Sequence, residues 1–242
     1  MMQKVNYHNI GQIEYGAAFK LQEEYMQKGL KVKAARFGKP EEEFPADDIE
    51  HYLFVCEHPH VYTLGKSGHM ENLLVNDARL KELGVSFYNT NRGGDITYHG
   101  PGQLVGYPVL DLEQYFTDLG KYMRSLEEAV IKTVAHYGIE AGRLEGATGV
   151  WLDPDNPQRA RKICAMGVKC SRWMTMHGLA LNVNTDLSFF GHIVPCGISD
   201  KAVTSIKQEL GHEVDMDEVT EVFVKAFAEV FESEIVELEL QG

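Results

Sequence analysis

Three stretches of the chain combine residue types that could do covalent chemistry. The first is "HIVPCGISD" (192–200), which sets Cys196 between a proline and a glycine. A free cysteine most often packs as a small buried hydrophobe. Here the flanking residues describe a stiff turn. Ser199 and Asp200 would open a helix expected near 201–210, placing the thiol beside helix-terminal N–H groups that favour thiolate. The second stretch is "RKICAMGVKC" (161–170). As a strand it puts Lys162, Cys164, Met166, Val168 and Cys170 on one face. Lys162 then ends an apolar row, where desolvation would make neutral amine accessible. An edge lysine reaching out to water explains the spacing as well.

The third stretch, "RGGDITYHGPGQLVGYP" (92–108), surrounds Arg92, Tyr98, His99 and Gln103 with glycine and proline. Backbone without Cβ atoms either bends sharply into a hairpin or lets something lie close against its peptide groups. Neither GxxxxGK[ST] nor GxGxxG occurs in it, so nucleotide use is not indicated. A metal site was weighed on "CEHPHVYTLGKSGH", which offers Cys56, His58, His60 and His69. Pro59 interrupts that run, and no second compact pair completes a tetrahedral set, so no metal is expected.

The whole chain bounds these chemistries. Its 242 residues, 44% of them hydrophobic, are enough for one packed catalytic domain spanning 1–242. Four cysteines without a CxxC pair argue for reduced thiols rather than a disulfide framework or zinc ribbon. The N-terminal sixteen residues do not read as a signal peptide, and no apolar run reaches membrane-spanning length, so a cytoplasmic protein is expected. A formal net charge of −13 speaks against nonspecific nucleic-acid binding. Positive charge gathers at 158–176, in Arg159, Arg161, Lys162, Lys169 and Arg172, where an acidic partner could dock.

The elements that must carry these residues follow from periodicity. Ile13, Ala17, Leu21 and Tyr25 mark a helix over 12–28 that Gly29 should stop. "KPEEEFPADD" reads as a mobile loop. "HYLFVCEH" and "VYTLG" read as strands joined by a turn, followed by a helix over 76–83 and the strand "VSFYNT". Residues 103–112 are extended, and a long amphipathic helix should run over 118–137. "TGVWLD", "KICAMGVKC" and "MTMHGLALNVN" suggest successive antiparallel strands. Helices near 201–210 and 216–232 and a last strand "EIVELEL" complete an α+β fold, with no repeat or linker.

Taken together, the three stretches resemble the lipoyl(octanoyl) transferase family. Its pattern RGGxxTxHxxGQxxxY reads here as Arg92, Gly93, Gly94, Thr97, His99, Gly102, Gln103 and Tyr107. Its other blocks read as "RKICAMGVKCSRWMTMHGLALNVNTDL" and "IVPCGISDKAVTSI". The likeness runs from about residue 52 to about 210. It implies the biotin/lipoate protein ligase-like α+β fold, with mixed, largely antiparallel sheets flanked by helices. It also implies transfer of an octanoyl group from octanoyl-acyl carrier protein to a lysine of lipoyl domains, without cofactor or metal. The acceptors implied are the E2 subunits of 2-oxoacid dehydrogenases and the H protein of glycine cleavage.

By the same resemblance Cys196 is the acyl-thioester nucleophile and Lys162 lowers its pKa. Substrate would be bound by Arg92, Gly93, Gly94, Asp95, Ile96, Thr97, Tyr98 and His99, by Ala165, Met166 and Gly167, and by Gly178, Leu179 and Ala180. His99 or His177 would assist as oxyanion donors. Three other readings stand beside it. An ATP-dependent lipoate or octanoate ligase needs no cysteine nucleophile. A non-catalytic acyl or lipoyl-domain binder needs neither Lys162 nor Cys196. A cysteine hydrolase would use His99 or His177 as base.

Overall fold

The computed structural model describes residues 2–40, 43–44, 49–194 and 202–237. Cys196, Ser199 and Asp200 therefore lie outside the described residues, as does most of the acidic segment 41–48. No helix among the described residues is long and apolar enough to cross a membrane.

In chain order the elements are β1 (Gln3–Gln12), α1 (Tyr15–Arg36), β2 (His51–Glu57), β3 (Val61–Leu64), α2 (Asp77–Leu83), β4 (Ser86–Asn89), β5 (Ile96–His99), β6 (Gln103–Val109), α3 (Leu119–Ala135), β7 (Gly142–Leu144), β8 (Ala147–Leu152), β9 (Arg161–Ser171), β10 (Met174–Asn182), β11 (Ala202–Val203), α4 (Ile206–Leu210), α5 (Met216–Val230) and β12 (Ser233–Glu237). The large sheet runs β12-β1-β2-β6-β10-β9-β8-β7, with β11 added beside β9, and a small sheet runs β4-β3-β5. Pairing within the large sheet is antiparallel from β2 through β8, whereas β1 lies parallel to both β2 and β12.

Helices α3 and α5 cover one face of the large sheet. Their stripes, Tyr122, Leu126, Val130 and Val134 on α3 and Val219, Phe223 and Phe227 on α5, meet Leu104, Leu179 and Leu181 in the main core. Asp118 and Asp215 cap them by accepting backbone N–H bonds at the first turn. Helix α1 covers the opposite face, where Ala18 and Met26 pack on Phe54, Val105, Met174 and Met176. The small sheet has its own core of Tyr62, Ile96, Tyr98, Leu80, Phe190 and Ile193.

Several elements depart from the sequence-based expectation. Helix α1 runs through Gly29 to Arg36 because that glycine faces the sheet; a Cβ there would sit 2.4 Å from the Met174 methyl. Close packing against Met174 compensates for the weak helix propensity of glycine. β2 and β3 are not a hairpin, since they belong to different sheets. Ahead of α4 comes β11, and the helix begins only at Ile206 with Ser205 as its cap. The expected helix terminus beside Cys196 is therefore not formed by α4.

Candidate active site

β5, β9 and β10 and the loop before β5 enclose a cavity of about 470 Å³. Lys162 lines it, together with Arg92, Gly93, Gly94, Asp95, Ile96, Thr97 and His99, Ala165 to Gly167, and Gly178 to Ala180. Tyr98 is the exception among the expected binding residues. Strand alternation turns its ring into the core of the small sheet, where its hydroxyl meets His60 Nδ1 at 2.7 Å. Tyr15, Val105, Tyr107, Leu119 and Met123 also line the cavity. Tyr107 belongs to the glycine-rich pattern, but no local pattern singles out Tyr15, Leu119 or Met123, because α1 and α3 are brought to the site only by packing.

The loop carrying Arg92 to Gly94 crosses β9. Gly93 N–H donates to Val168 O at 2.9 Å, and a Cβ on Gly167 would lie 2.6 Å from Gly93 O. The glycines of this loop and of β9 thus permit backbone to lie against backbone, and the cavity forms alongside. Arg92 is held beneath the loop, donating from Nη2 to Thr63 O at 2.6 Å and Thr63 Oγ1 at 3.0 Å.

That contact begins a polar chain through the sheet. The Thr63 hydroxyl lies 3.3 Å from His99 Nε2, and His99 Nδ1 donates to Gln103 Oε1 at 2.8 Å. Gln103 Nε2 donates to Tyr98 O and to Asn182 Oδ1, and Asn182 Nδ2 donates to Thr204 O. Thr204 N–H in turn donates to Lys162 O at 2.9 Å. Burial, reinforced by the neighbouring His58, holds His99 neutral, its pKa far below the ordinary histidine value.

His177 sits in β10 with φ of 59°. A side chain in that region is strained by roughly 1–3 kcal/mol. Its Nε2–H donates to Asn91 Oδ1 at 2.7 Å, whereas the buried Nδ1 has no hydrogen-bond partner among the described residues. Burial first, then the positive charges of Arg92 and Lys169, lowers its pKa to about 3. Both histidines are therefore neutral and have their one N–H committed within the protein. Neither N–H is therefore spare to serve as an oxyanion donor in this arrangement, whereas the Nδ1 lone pair of His177 is uncommitted among the described residues.

Lys162 has different surroundings. It projects from β9 opposite Trp151 of β8, with Nζ 4.6 Å from the indole centroid. No carboxylate among the described residues pairs with it. Pairing of β11 places Ala202 beside Arg161 and Val203 beside Lys162. At the other end of segment 195–201, Val194 N–H donates to Asn72 O at 2.8 Å, and Asn72 Nδ2 reaches Asp95 Oδ2 at 2.5 Å. The segment containing Cys196 is thus bracketed by one anchor on the Arg92 loop and one on the Lys162 strand.

The basic stretch at 158–176 is not one patch. Arg161 grips Glu209 with two hydrogen bonds and also pairs with Asp153, which lies 3.4 Å from Arg159. Lys169 and Arg172 lie at the far end of β9, roughly 25 Å from Arg161 at about 3.3 Å per strand residue. The would-be metal ligands are also separated. Cys56 and His58 are buried together, with His58 Nδ1 donating to Ile13 O and Nε2 2.7 Å from the Tyr107 hydroxyl. His60 stacks on Phe189 in another core, and His69 is exposed. Among the described residues no group of three or more histidine, cysteine or acidic side chains is arranged to hold a metal ion.

Residues 17–228 match the family of the lipoyl protein ligase A/B catalytic domain. An octanoyltransferase of Flavobacterium johnsoniae is 55% identical over 239 residues, covering 98% of this chain and 100% of the relative. One of Cytophaga hutchinsonii is 54% identical over 227 residues, covering 94% and 92%. Among solved structures, a bipartite lipoate protein ligase from Thermoplasma acidophilum superposes with a TM-score of 0.69 at 17% identity, covering 99% of this chain and 88% of that one. A lipoate-protein ligase A bound with ATP gives 0.69 at 15% identity, covering 100% and 90%. At such identities the likeness speaks to the fold alone.

Proposed function

The chain belongs to the lipoyl protein ligase A/B catalytic domain family and is an acyltransferase of its octanoyltransferase group, and from that premise we propose how it moves the octanoyl group. The donor is octanoyl-acyl carrier protein, and the acceptor is the ε-amine of a lysine on lipoyl domains, such as those of 2-oxoacid dehydrogenase E2 subunits, or on the glycine cleavage H protein. The cytoplasm is the expected setting. The observation that carries this reading is the cavity on which Lys162 and the glycine-rich loop converge, with both anchors of the Cys196 segment tied to its walls. Cys196 is two residues beyond Val194, and two residues span at most about 7 Å.

An ordinary thiol is only a few per cent thiolate at neutral pH, and an adjacent ammonium raises that fraction. In the first step the Cys196 thiolate attacks the thioester carbonyl carbon of the donor. The carbon–sulfur bond to the carrier breaks, and the carrier thiolate takes a proton from the Lys162 ammonium. Neutral Lys162 then accepts a proton from the acceptor amine as its nitrogen attacks the octanoyl-Cys196 carbonyl. The amide bond forms, Cys196 leaves as thiolate, and Lys162 is again an ammonium beside it. Thioester becomes amide, a downhill exchange that needs no ATP.

Apolar walls from Val105, Leu119, Met123 and Leu179 suit the octanoyl chain. Its six methylenes contribute roughly 5 kcal/mol if each is buried at about 0.8 kcal/mol.

Intact mass after mixing with octanoyl-acyl carrier protein checks the mechanism. An octanoyl adduct is expected on the wild type, absent from Cys196→Ala, and cleared by adding a lipoyl domain. A wild-type protein that transfers octanoyl without ever carrying it overturns the covalent route.

A further inference from the structure

Beneath Lys162 lies a cluster with no part in the steps above: Trp151, Gly149 and Glu127. Lys162 and Trp151 are register partners across β8 and β9, and the ammonium stands 4.6 Å from the ring centroid. An indole face attracts a cation within about 6 Å. The ring is 2% exposed, and its Nε1–H donates to Ala147 O at 3.2 Å, so its face is fixed.

What orients the ring is a bulge. The β8–β9 register shifts between Val150 and Trp151, next to Gly149 with φ of 117°. A Cβ at 149 would lie 2.5 Å from Cys164 O, so only glycine fits against that carbonyl, and the Lys162 stem passes alongside at 3.5 Å, ordinary van der Waals contact. Gly149 N–H donates to Glu127 Oε1 at 3.0 Å. The Glu127 side chain is wholly buried, and its other oxygen pairs with Arg124 at 2.7 Å and Arg143 at 3.0 Å. A bulge of this kind re-aims the side chain that follows it, and here that side chain is Trp151.

We infer that Trp151 is a positioning residue for the reaction: its face, seated by the Glu127-held bulge, holds the Lys162 Nζ in place at the cavity wall, and so sets how readily the Cys196 thiol ionises. This rests on the reading of Lys162 as the charge partner of Cys196. The titratable and charged groups around Lys162 are Cys164 on its own strand, Glu127 with Arg124 and Arg143 across the α3 side, and the Asp153–Arg161–Glu209 network beside β11. Glu127 is paired with its own arginines, which leaves the indole as the stabilising partner of the ammonium among the described residues.

The test is the pH dependence of iodoacetamide alkylation, followed by mass spectrometry of the Cys196 peptide in the full-length protein. Lys162→Met should raise the apparent thiol pKa. Trp151→Leu should raise it by roughly 0.5 to 1 unit, and Trp151→Phe, which keeps an aromatic face, by less than half as much. In a Lys162→Met background, Trp151→Leu should add nothing. Unchanged far-ultraviolet circular dichroism and a cooperative melt establish that each variant is folded. If Lys162→Met shifts the pKa and Trp151→Leu does not, the inference fails while the Lys162 reading stands. A shift in both backgrounds overturns it too, because the effect then bypasses Lys162. No shift with Lys162→Met removes the premise itself.

Discussion

The two walls of the cavity treat polar groups in opposite ways. On the histidine wall, Arg92, Thr63, His99, Gln103 and Asn182 pass hydrogen bonds from one to the next, and His177 spends its N–H on Asn91. On the lysine wall, a cation rests on an aromatic face with no carboxylate partner among the described residues. A satisfied network shapes a site and holds it still. A charge left facing the cavity can act on whatever enters. On the proposed reading, shape falls to the first wall and reactivity to the second.

The sharpest way to break that division is to remove the charge. Lys162→Met should lower octanoyl transfer by about 10² to 10⁴-fold, the usual reach of acid–base assistance. Lys162→Arg should not restore turnover, because a guanidinium does not give up its proton. Steady-state transfer to a lipoyl domain measures both. A variant that retains wild-type turnover would place the reactivity elsewhere.

Next in size is a change to the shape of the first wall. Gly167→Ala brings a methyl to 2.6 Å from Gly93 O, and neither backbone can yield freely. About 1–3 kcal/mol of stability should be lost, the common cost of overpacking, together with most transfer activity. Urea unfolding and the transfer assay read the two effects separately.

The buried histidines give the comparison a pH signature. In the unfolded chain these rings protonate below about pH 6.5, but folded His177 does so only at about 3 and folded His99 well below 6.5. Their stabilising share is therefore complete above pH 6.5 and is lost as pH falls. By pH 5 His177 contributes about 2 kcal/mol less, at 1.36 kcal/mol per pH unit, and His99 acts in the same direction. Melting temperatures between pH 7.5 and 5 should fall, and less steeply in His177→Asn.

The smallest effect expected is that of Thr63→Val, which strips one link between Arg92 and His99. It should cost about 1–2 kcal/mol for the buried donor left unmatched. If the histidine wall only shapes the site, the thiol pKa of Cys196 will not move in this variant.

Much of this was legible in one dimension. Residues four apart on α3 and the alternating face of β9 are local, so periodicity reports them directly. The three motif blocks also name most of the residues that line the cavity. Tyr98 stands apart from them, its ring in the small-sheet core while Thr97 and His99 line the cavity, because a motif has no sense of side and in a strand each successive residue changes face. Gly29 was read as a helix stop because its packing partner, Met174, is remote in sequence. The supposed basic patch dissolved because eleven residues of extended strand separate its two ends.

The sequence by itself determined the family and the residue types offered to its chemistry, a thiol, a lysine and a glycine-rich loop in a fixed order, since reactive side chains and backbone freedom are properties of residue type. Tertiary structure alone decided which polar groups are tied up within the protein and which are not. Whether a histidine donates, whether a lysine stays charged and which ring lies under it depend on burial and on partners far along the chain, set when β8, β9 and β11 are laid side by side.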